Sequence, residues 1–363
     1  MDQLLYKGYE LSEKILIDFF LYELEQLPEF SKSQHWKRHI KYKDFNNLQK
    51  DLINFRNNDL SGGLDDKDNN ENIKKIFDSL LKDVELNFIK KIGNYENIGN
   101  NKCYIKYKDL IIDPNFLYEI DWLSSIRKKS KLLDDSRIVC DIGGGYGSLI
   151  SKIKKYNPKS TCILLDLPES NLLSRYFLSK IFPDKIFLLT KEKNIDFKKF
   201  KDIDFLITLP NVHFKNLTID LVINTRSMME MTRNNISKYF EFIHQNISNT
   251  GYFLNINAYT KSTVGETIEL AKYDYDKFWK VIISKTSNYQ EHIHFLLTQR
   301  SFSDYDIDEN LKTIKELELI AIKKKPIILL RKAKALKYKK SKLFIVYCFY
   351  YYRLILNKLF IKN

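Results

Sequence analysis

The stretch Arg137–Ser148, RIVCDIGGGYGS, decides how this chain is read. A short apolar run reaches an acid, Asp141, and then a cluster of glycines. The run predicts a buried strand, and the residues from Ser148 onward predict a helix. Glycines between the two let the backbone turn sharply and let a ligand approach the start of the helix closely. Two classes of loop share this form, and spacing separates them. A dinucleotide fingerprint wants its third glycine three residues after the second. Counted from Gly143 and Gly145, that place holds Ser148. The pattern D-x-G-x-G-x-G is instead met in full by Asp141, Gly143, Gly145 and Gly147.

Working outward, Cys162–Leu167 is a second apolar run, ending in Asp166-Leu167-Pro168. Phe205–Leu209, Leu221–Asn224 and Tyr252–Ile256 follow, separated by helix-length segments such as Ser170–Ile181 and Asn234–Gln245. Buried strands alternating with helices predict an α/β fold with a Rossmann-like, doubly wound sheet. Lys185–Leu189 and Ile203–Leu209 are both candidates for the third strand. Upstream, residues 3–26 carry an apolar stripe (Leu4, Leu5, Ile15, Phe19, Phe20, Leu24) that predicts a helix. Further helices are predicted over Lys43–Phe55 and Ile73–Ile92, with the polar run Ser61–Asn72 as a loop. Three regions result: a mostly helical 1–130, an α/β domain over 131–318, and a tail over 319–363.

The tail corrects the first impression made by composition. The 363 residues carry a formal net charge of +14, which suggests a polyanionic partner. From Leu319 to Asn363, however, there are 13 Lys/Arg and no acid, so the preceding 318 residues hold 47 bases against 46 acids. A uniformly basic nucleic-acid binder is excluded. The four cysteines, Cys103, Cys140, Cys162 and Cys348, form no CxxC pair, which fits a reducing cytosol and neither a disulfide framework nor a zinc site. The N-terminus lacks the basic start and unbroken apolar core of a signal peptide, so a cytoplasmic protein is expected.

The glycine loop resembles the cofactor loop of S-adenosylmethionine-dependent methyltransferases with the Rossmann-like fold. That cofactor carries an ammonium group and two ribose hydroxyls, which call for carboxylates. The resemblance implies that Asp141 meets the ammonium side and that Asp166 accepts the ribose hydroxyls. Leu167 and Pro168 would wall the adenine, and Leu209 and Asn224, at later strand ends, complete the expected cofactor set. The bland alternative is a glycine-rich turn beside an aspartate that caps a helix.

Several further segments resemble one family, the sugar O-methyltransferases of bacterial surface-glycan gene clusters. They are Phe55-Arg56-Asn57-Asn58, the run Leu60-Ser61-Gly62-Gly63-Leu64-Asp65-Asp66, the glycine loop, Leu165–Glu169 and, most distinctively, Asp220–Met231 with its Ser227-Met228-Met229-Glu230-Met231 string. The likeness covers most of residues 30 to 300 and omits the tail. It implies methyl transfer to a sugar hydroxyl of a nucleotide- or lipid-linked glycan precursor. Asn224 is not followed by the Pro-Pro-aromatic signature of amino-methylating nucleic-acid enzymes, which points to an oxygen acceptor. Such transfer needs a group to take the hydroxyl proton. Glu230 and His292 are the leading candidates, beside His213, His244 and His294. For Glu230 the competing role is a structural ion pair with Arg226. Arg56, Arg226 and Arg300 are candidate acceptor clamps, although an arginine of each kind is more commonly an ordinary surface ion-pair residue. Tyr273, Tyr275, Phe278 and Trp279 suit either a sugar-stacking platform or a core. Met228, Met229 and Met231 suit either the cofactor's sulfur side or the interior. No acidic cluster marks a metal site, and none is expected.

In the tail, Arg331–Lys342 holds seven Lys/Arg, and Leu343–Tyr352 is ten apolar or aromatic residues. That run is shorter than the ~20 residues a membrane-spanning helix needs. It fits a helix lying on an anionic membrane, a helix docked on the chain's own core, or a subunit contact. Two other functions compete with the first: an RNA or tRNA methyltransferase, against which the neutral body counts, and a non-catalytic member of a glycan-assembly complex.

Overall fold

The computed structural model describes residues 3–26, 48–57, 70–200, 202–262 and 265–324. The run Leu60–Asp66 and the tail from residue 325 onward lie outside them, as do parts of the helix predicted over Lys43–Phe55 and of the loop predicted over Ser61–Asn72. The chain divides into two compact units, the first of residues 1–223 (less 33–35) and 246–252, the second of 33–35, 224–245 and 253–363.

The first unit opens with a strand, β1 (Gln3–Lys7), not with the predicted helix. The helix, α1, begins only at Glu13 and runs to Gln26, burying Leu16, Phe19 and Phe20. Two physical causes explain the difference. An edge strand offers unpaired backbone groups, and β1 pairs antiparallel with a strand nearly two hundred residues away, Gln3 opposite Thr190 and Lys7 opposite Ile186. Gly8 then breaks the period where the chain passes tightly over Phe182 and Pro183; a Cβ there would stand 2.4 Å from the Phe182 carbonyl oxygen. Leu4 and Leu5 are exposed, so they take no part in the expected apolar stripe, whose later members Phe19 and Phe20 are buried on α1.

Three helices follow among the described residues: α2 (Leu48–Ile53), α3 (Asn70–Leu80) and α4 (Leu86–Ile92). The last two occupy the segment read as one helix; a turn through Leu81–Glu85 separates them. A small hairpin, β2 (Ile105–Tyr107) with β3 (Leu110–Ile112), turns on Lys108 and Asp109, both at positive φ. Helix α5 (Pro114–Arg127) starts with proline at its first position and with the Asp113 carboxylate accepting from the Phe116 N–H at 2.9 Å. A short helix, α6 (Leu132–Asp135), precedes the sheet proper.

The sheet of this unit is built as the alternating pattern predicts. Its strands are β4 (Ile138–Ile142), β5 (Thr161–Leu165), β6 (Ile186–Thr190), β8 (Phe205–Thr208) and the start of β10 (Ile219–Thr225). A side pair, β7 (Asn194–Asp196) with β9 (His213–Lys215), lies apart. Both candidates for the third strand are strands, in the order β1-β6-β8-β5-β4-β10. All pairings from β6 to β10 are parallel. Helices α7 (Ser148–Tyr156) and α8 (Pro168–Ile181) follow β4 and β5. The chain moves from β4 to one side through β5, then returns to the other side at β10. This reversal is the topological switch point of a Rossmann-like sheet, where ligands meet the carboxyl ends of strands. A buried ion pair ties α1 to α8: Arg175 meets Glu23 at 2.6 and 2.9 Å, with both side chains almost wholly buried.

The second unit takes in the end of β10, a 3-10 turn over Met228–Glu230, α9 (Arg233–Asn246, up to Gln245) and β11 (Ile247–Ala258) from Phe253 on. A short pair, β12 (Thr260–Lys261) with β13 (Ile268–Glu269), leads to β14 (Trp279–Thr286) and β15 (Ile293–Arg300). Strands β14 and β15 pair antiparallel with an irregularity between Val281 and Ile283. Helix α10 (Ile307–Lys324) closes the described chain. No helix of the described residues is long and apolar enough to cross a membrane.

Candidate functional site

In the first unit, β4 is apolar and buried on both faces, so Asp141 enters the interior as part of the strand, 1% exposed. Neither carboxylate oxygen has a hydrogen-bond partner among the described residues. Leaving a buried carboxylate so unsatisfied costs free energy, which a strand aspartate normally avoids. Burial, reinforced by Asp166 and Glu119, pushes its pKa up to about 8. The glycine loop arches over this group. Its Gly143 N–H donates to the Leu165 carbonyl at 2.8 Å, and Gly143, Gly145 and Gly147 all stand at positive φ. A Cβ on Gly144 would lie 2.6 Å from Asp141 Oδ2, whereas one on Gly145 would meet nothing within 4 Å. The loop is therefore tight below and open above.

Asp166, at the end of β5, is half-buried and joined to the same loop. Its Oδ2 accepts from the Gly145 N–H at 2.9 Å and its Oδ1 from the Leu167 N–H at 2.7 Å. Burial raises its pKa to about 6, against those two donors, which lower it. Pro168 at the first position of α8 fixes the turn. The Asp166 N–H donates to the Thr208 carbonyl at 3.3 Å, so Leu209, buried at the end of β8, follows directly on the residue that Asp166 meets. Asp141, Gly143, Gly145, Gly147, Asp166, Leu167 and Leu209 are thus all at the carboxyl ends of β4, β5 and β8. An ammonium would satisfy Asp141, and the spare lone pairs of Asp166 suit a vicinal diol.

Arg56 belongs to this neighbourhood too. Its guanidinium meets Asp113 at 2.6 Å with both side chains buried, and lies 5.4 Å over the Tyr146 ring in the glycine loop. Asp113 and the Tyr146 ring hold it firmly charged, against the pull of burial. A further buried pair, Lys152 with Glu119 at 3.0 Å, supports α7 on α5.

In the second unit, Asn224 is fully buried and employed internally. Its amide donates to Ser227 Oγ at 2.5 Å, and its carbonyl accepts from the Met228 N–H and from Asn257. Asn257 in turn accepts from the Met229 N–H and donates to Asn255, which reaches the Tyr275 hydroxyl. The Ser-Met-Met-Glu turn is therefore held by a ladder of asparagines. The Ser227 hydroxyl and the backbone N–H groups of Met228 and Met229 are the ladder's partners. Met228 and Met229 pack in the interior, the latter accepting the Ala258 N–H on its sulfur.

Glu230 has Lys261 as an ion-pair partner, and Arg226, held at positive φ, donates to Gln290. Arg300 grips Asp276 with both nitrogens and covers the Phe278 and Trp279 rings. His294 is fully buried between Tyr259 and Ser284, and burial drives its pKa down to about 3, so it stays neutral. His292 is half-buried just before β15, its carbonyl accepting the Tyr259 N–H. Tyr273, Tyr275 and Trp279 are buried around Phe240 and Phe253 and form core, not a stacking platform. A cleft of about 220 Å³ is lined by Tyr259, Thr260, Glu269, Ile314, Lys315 and Glu318, among others. It holds none of the residues singled out from the sequence.

Two features escaped sequence reading: Lys261 as the partner of Glu230, and Tyr146 as the partner of Arg56. The only signal for the second was the adjacency of an aromatic to the glycines.

Residues 110–186, which span β3 through the start of β6, match the model of the O-methyltransferase domain family. No curated protein matches the chain. Among solved structures, a SAM-dependent methyltransferase from Aquifex aeolicus is 14% identical, with 52% of this chain and 94% of that one covered at a TM-score of 0.35. Human N-acetylserotonin methyltransferase in complex with SAM is 16% identical, covering 51% and 52% at 0.32. The mitomycin 7-O-methyltransferase MmcR is 10% identical, covering 63% and 68% at 0.30. The chain has a Rossmann-like α/β fold and is similar, over the part that carries its glycine loop and Asp166, to an O-methyltransferase domain.

Proposed function

We propose that this protein is an S-adenosylmethionine-dependent O-methyltransferase whose acceptor is a sugar hydroxyl of a surface-glycan precursor. The observation that carries the reading is Asp141, a buried carboxylate without a donor beneath a glycine loop open on its other side. A ligand with an ammonium and a ribose meets Asp141 and Asp166 in turn. When bound, the cofactor supplies an electrophilic methyl group on a sulfonium. Asp141 binds the ammonium, Asp166 orients the ribose through its hydroxyls, and Leu167 and Leu209 provide apolar walls. Glu230, with Lys261 as its counter-ion, would accept the proton of the acceptor hydroxyl, and His292 is the alternative base. Arg226 and Arg300 serve the acceptor only through whatever their present partners leave available.

The sugar class is supported by the Phe55-Arg56-Asn57-Asn58 and Ser227–Met231 resemblance and by the neutrality of residues 1–318. A polyanionic RNA acceptor would favour a basic body, which this chain lacks. The tail is proposed to hold the enzyme at an anionic membrane surface, where lipid-linked precursors are made. Calorimetry with S-adenosylhomocysteine tests the cofactor half: the wild type should bind, and Asp166→Ala should lose binding with an unchanged circular dichroism spectrum. Unchanged affinity in that variant would sink the site. Mass spectrometry of surface glycans from cells with and without the gene tests the acceptor half through a missing methyl increment.

A further inference from the structure

Segment 48–57 reaches the glycine loop through two adjacent side chains. Phe55, fully buried, lies 5.3 Å from the Tyr146 ring and meets Tyr176 and Phe177 of α8 edge-on at 6.4 and 6.3 Å. Tyr146 also meets Phe177 edge-on at 4.9 Å. Arg56 covers Tyr146 with its guanidinium while Asp113 fixes that guanidinium from behind. The Arg56 N–H donates to the Gly99 carbonyl at 3.0 Å, and Gly99 leaves room for the Phe55 ring, which a Cβ would approach to 2.4 Å. Tyr146 is thereby held between a cation and two aromatic rings, Phe55 and Phe177. Its neighbours Gly145 and Gly147 both hold positive φ. Glycines lose more conformational freedom on ordering than any other residue, so an unsupported loop of this kind starts with a large entropic handicap for binding.

We infer that Arg56 is a positioning residue: by clamping Tyr146 it holds the glycine loop in the form that receives the cofactor. The inference rests on the cofactor reading above for its ligand, but not for the clamp itself. A guanidinium stacked on an aromatic face and fixed by a carboxylate suits this purpose, because it is planar, permanently charged and held from both sides. The segment outside the sheet thus acts on the cofactor loop, although Arg56 itself is spent on Asp113 and Tyr146.

The test uses the full chain with Arg56→Ala, Arg56→Lys, Tyr146→Leu, the Arg56→Ala/Tyr146→Leu pair and Gly99→Ala. S-adenosylhomocysteine affinity is read by calorimetry, and amide hydrogen exchange of the peptide holding Gly143–Gly147 by mass spectrometry. Arg56→Ala is expected to weaken binding about tenfold, equivalent to about 1.4 kcal/mol, and to speed exchange in that peptide. Arg56→Lys should recover part of both. On the Tyr146→Leu background, Arg56→Ala should add less than about twofold, because its effect runs through the ring. Gly99→Ala, which displaces Phe55 and alters no charge, should move both readouts in the same direction as Arg56→Ala and serves if that variant does not fold. Unchanged loop exchange in Arg56→Ala, or a full tenfold loss persisting without Tyr146, would overturn the clamp. If the wild type does not bind S-adenosylhomocysteine, the cofactor reading fails, and hydrogen exchange alone still decides whether Arg56 orders the loop.

Discussion

If Asp141 binds the cofactor's ammonium as proposed, its burial makes cofactor affinity a function of pH, with a sign and size that follow from its surroundings. Its carboxyl has a pKa of about 8, raised by burial first and by Asp166 and Glu119 next. Below that pH the unliganded protein holds the acid form, whereas pairing with an ammonium needs the carboxylate. Binding therefore releases a proton, and affinity falls as the pH falls through 8. With the bound carboxylate titrating well below 6, affinity at pH 6 should be about fiftyfold weaker than at pH 8, or about 2.3 kcal/mol. Above pH 8 the ligand's own α-ammonium begins to titrate, so the maximum lies near there. Asp166, with a pKa of about 6, adds little above pH 7. Calorimetry with S-adenosylhomocysteine at pH 6, 7 and 8, in pairs of buffers with different ionisation heats, measures both affinity and proton release. About one proton should be released at pH 6, and Asp141→Asn should flatten the profile while weakening binding. The same group sets stability with the opposite sign. Its folded pKa exceeds the unfolded value of about 4, so the stability it favours is full below pH 4 and is lost as the pH rises through 8. Unliganded Asp141→Asn should thus melt higher than wild type at pH 8. An affinity constant within twofold from pH 6 to 8, without proton release, would refute the assignment.

Further expectations concern other parts of the chain. Glu23→Ala strands the Arg175 guanidinium in the interior and should cost about 3–5 kcal/mol in urea unfolding; a loss below about 1 kcal/mol would mean that the pair is hydrated or replaceable. Glu230→Gln should lower methyl incorporation into surface glycan by roughly 10²–10⁴-fold in a complemented deletion strain, with S-adenosylhomocysteine affinity unchanged. Equal activity would pass the role of base to His292. Removing residues 331–363 should move the protein from the membrane to the supernatant fraction on centrifugation, and a full-length chain found wholly in the supernatant would end that proposal.

The parts of this protein that were legible in sequence are those whose physics is local. The glycine loop, Asp166 and the parallel strands announce themselves because a sharp turn needs glycine and a strand buried on both faces needs an unbroken apolar run. The strand at residues 3–7 was not legible. Its partner stands at residues 186–190, and the pairing, not the five residues' own pattern, makes it a strand. Tyr273, Tyr275 and Trp279 are aromatic whether they stack on a sugar or on each other, and only packing against Phe240 and Phe253 distinguishes the two.

By itself, the sequence determined the fold class and the place of the glycine loop with Asp141 and Asp166 beside it, because spacing along a strand–turn–helix unit is enough for these. Tertiary structure decided how each side chain is used. It leaves Asp141 without a donor, gives Glu230 to Lys261, spends Asn224 on the turn that presents Glu230, and lays Arg56 on Tyr146. The reason is that a side chain's charge and freedom depend on neighbours brought together from distant parts of the chain, which no local spacing encodes.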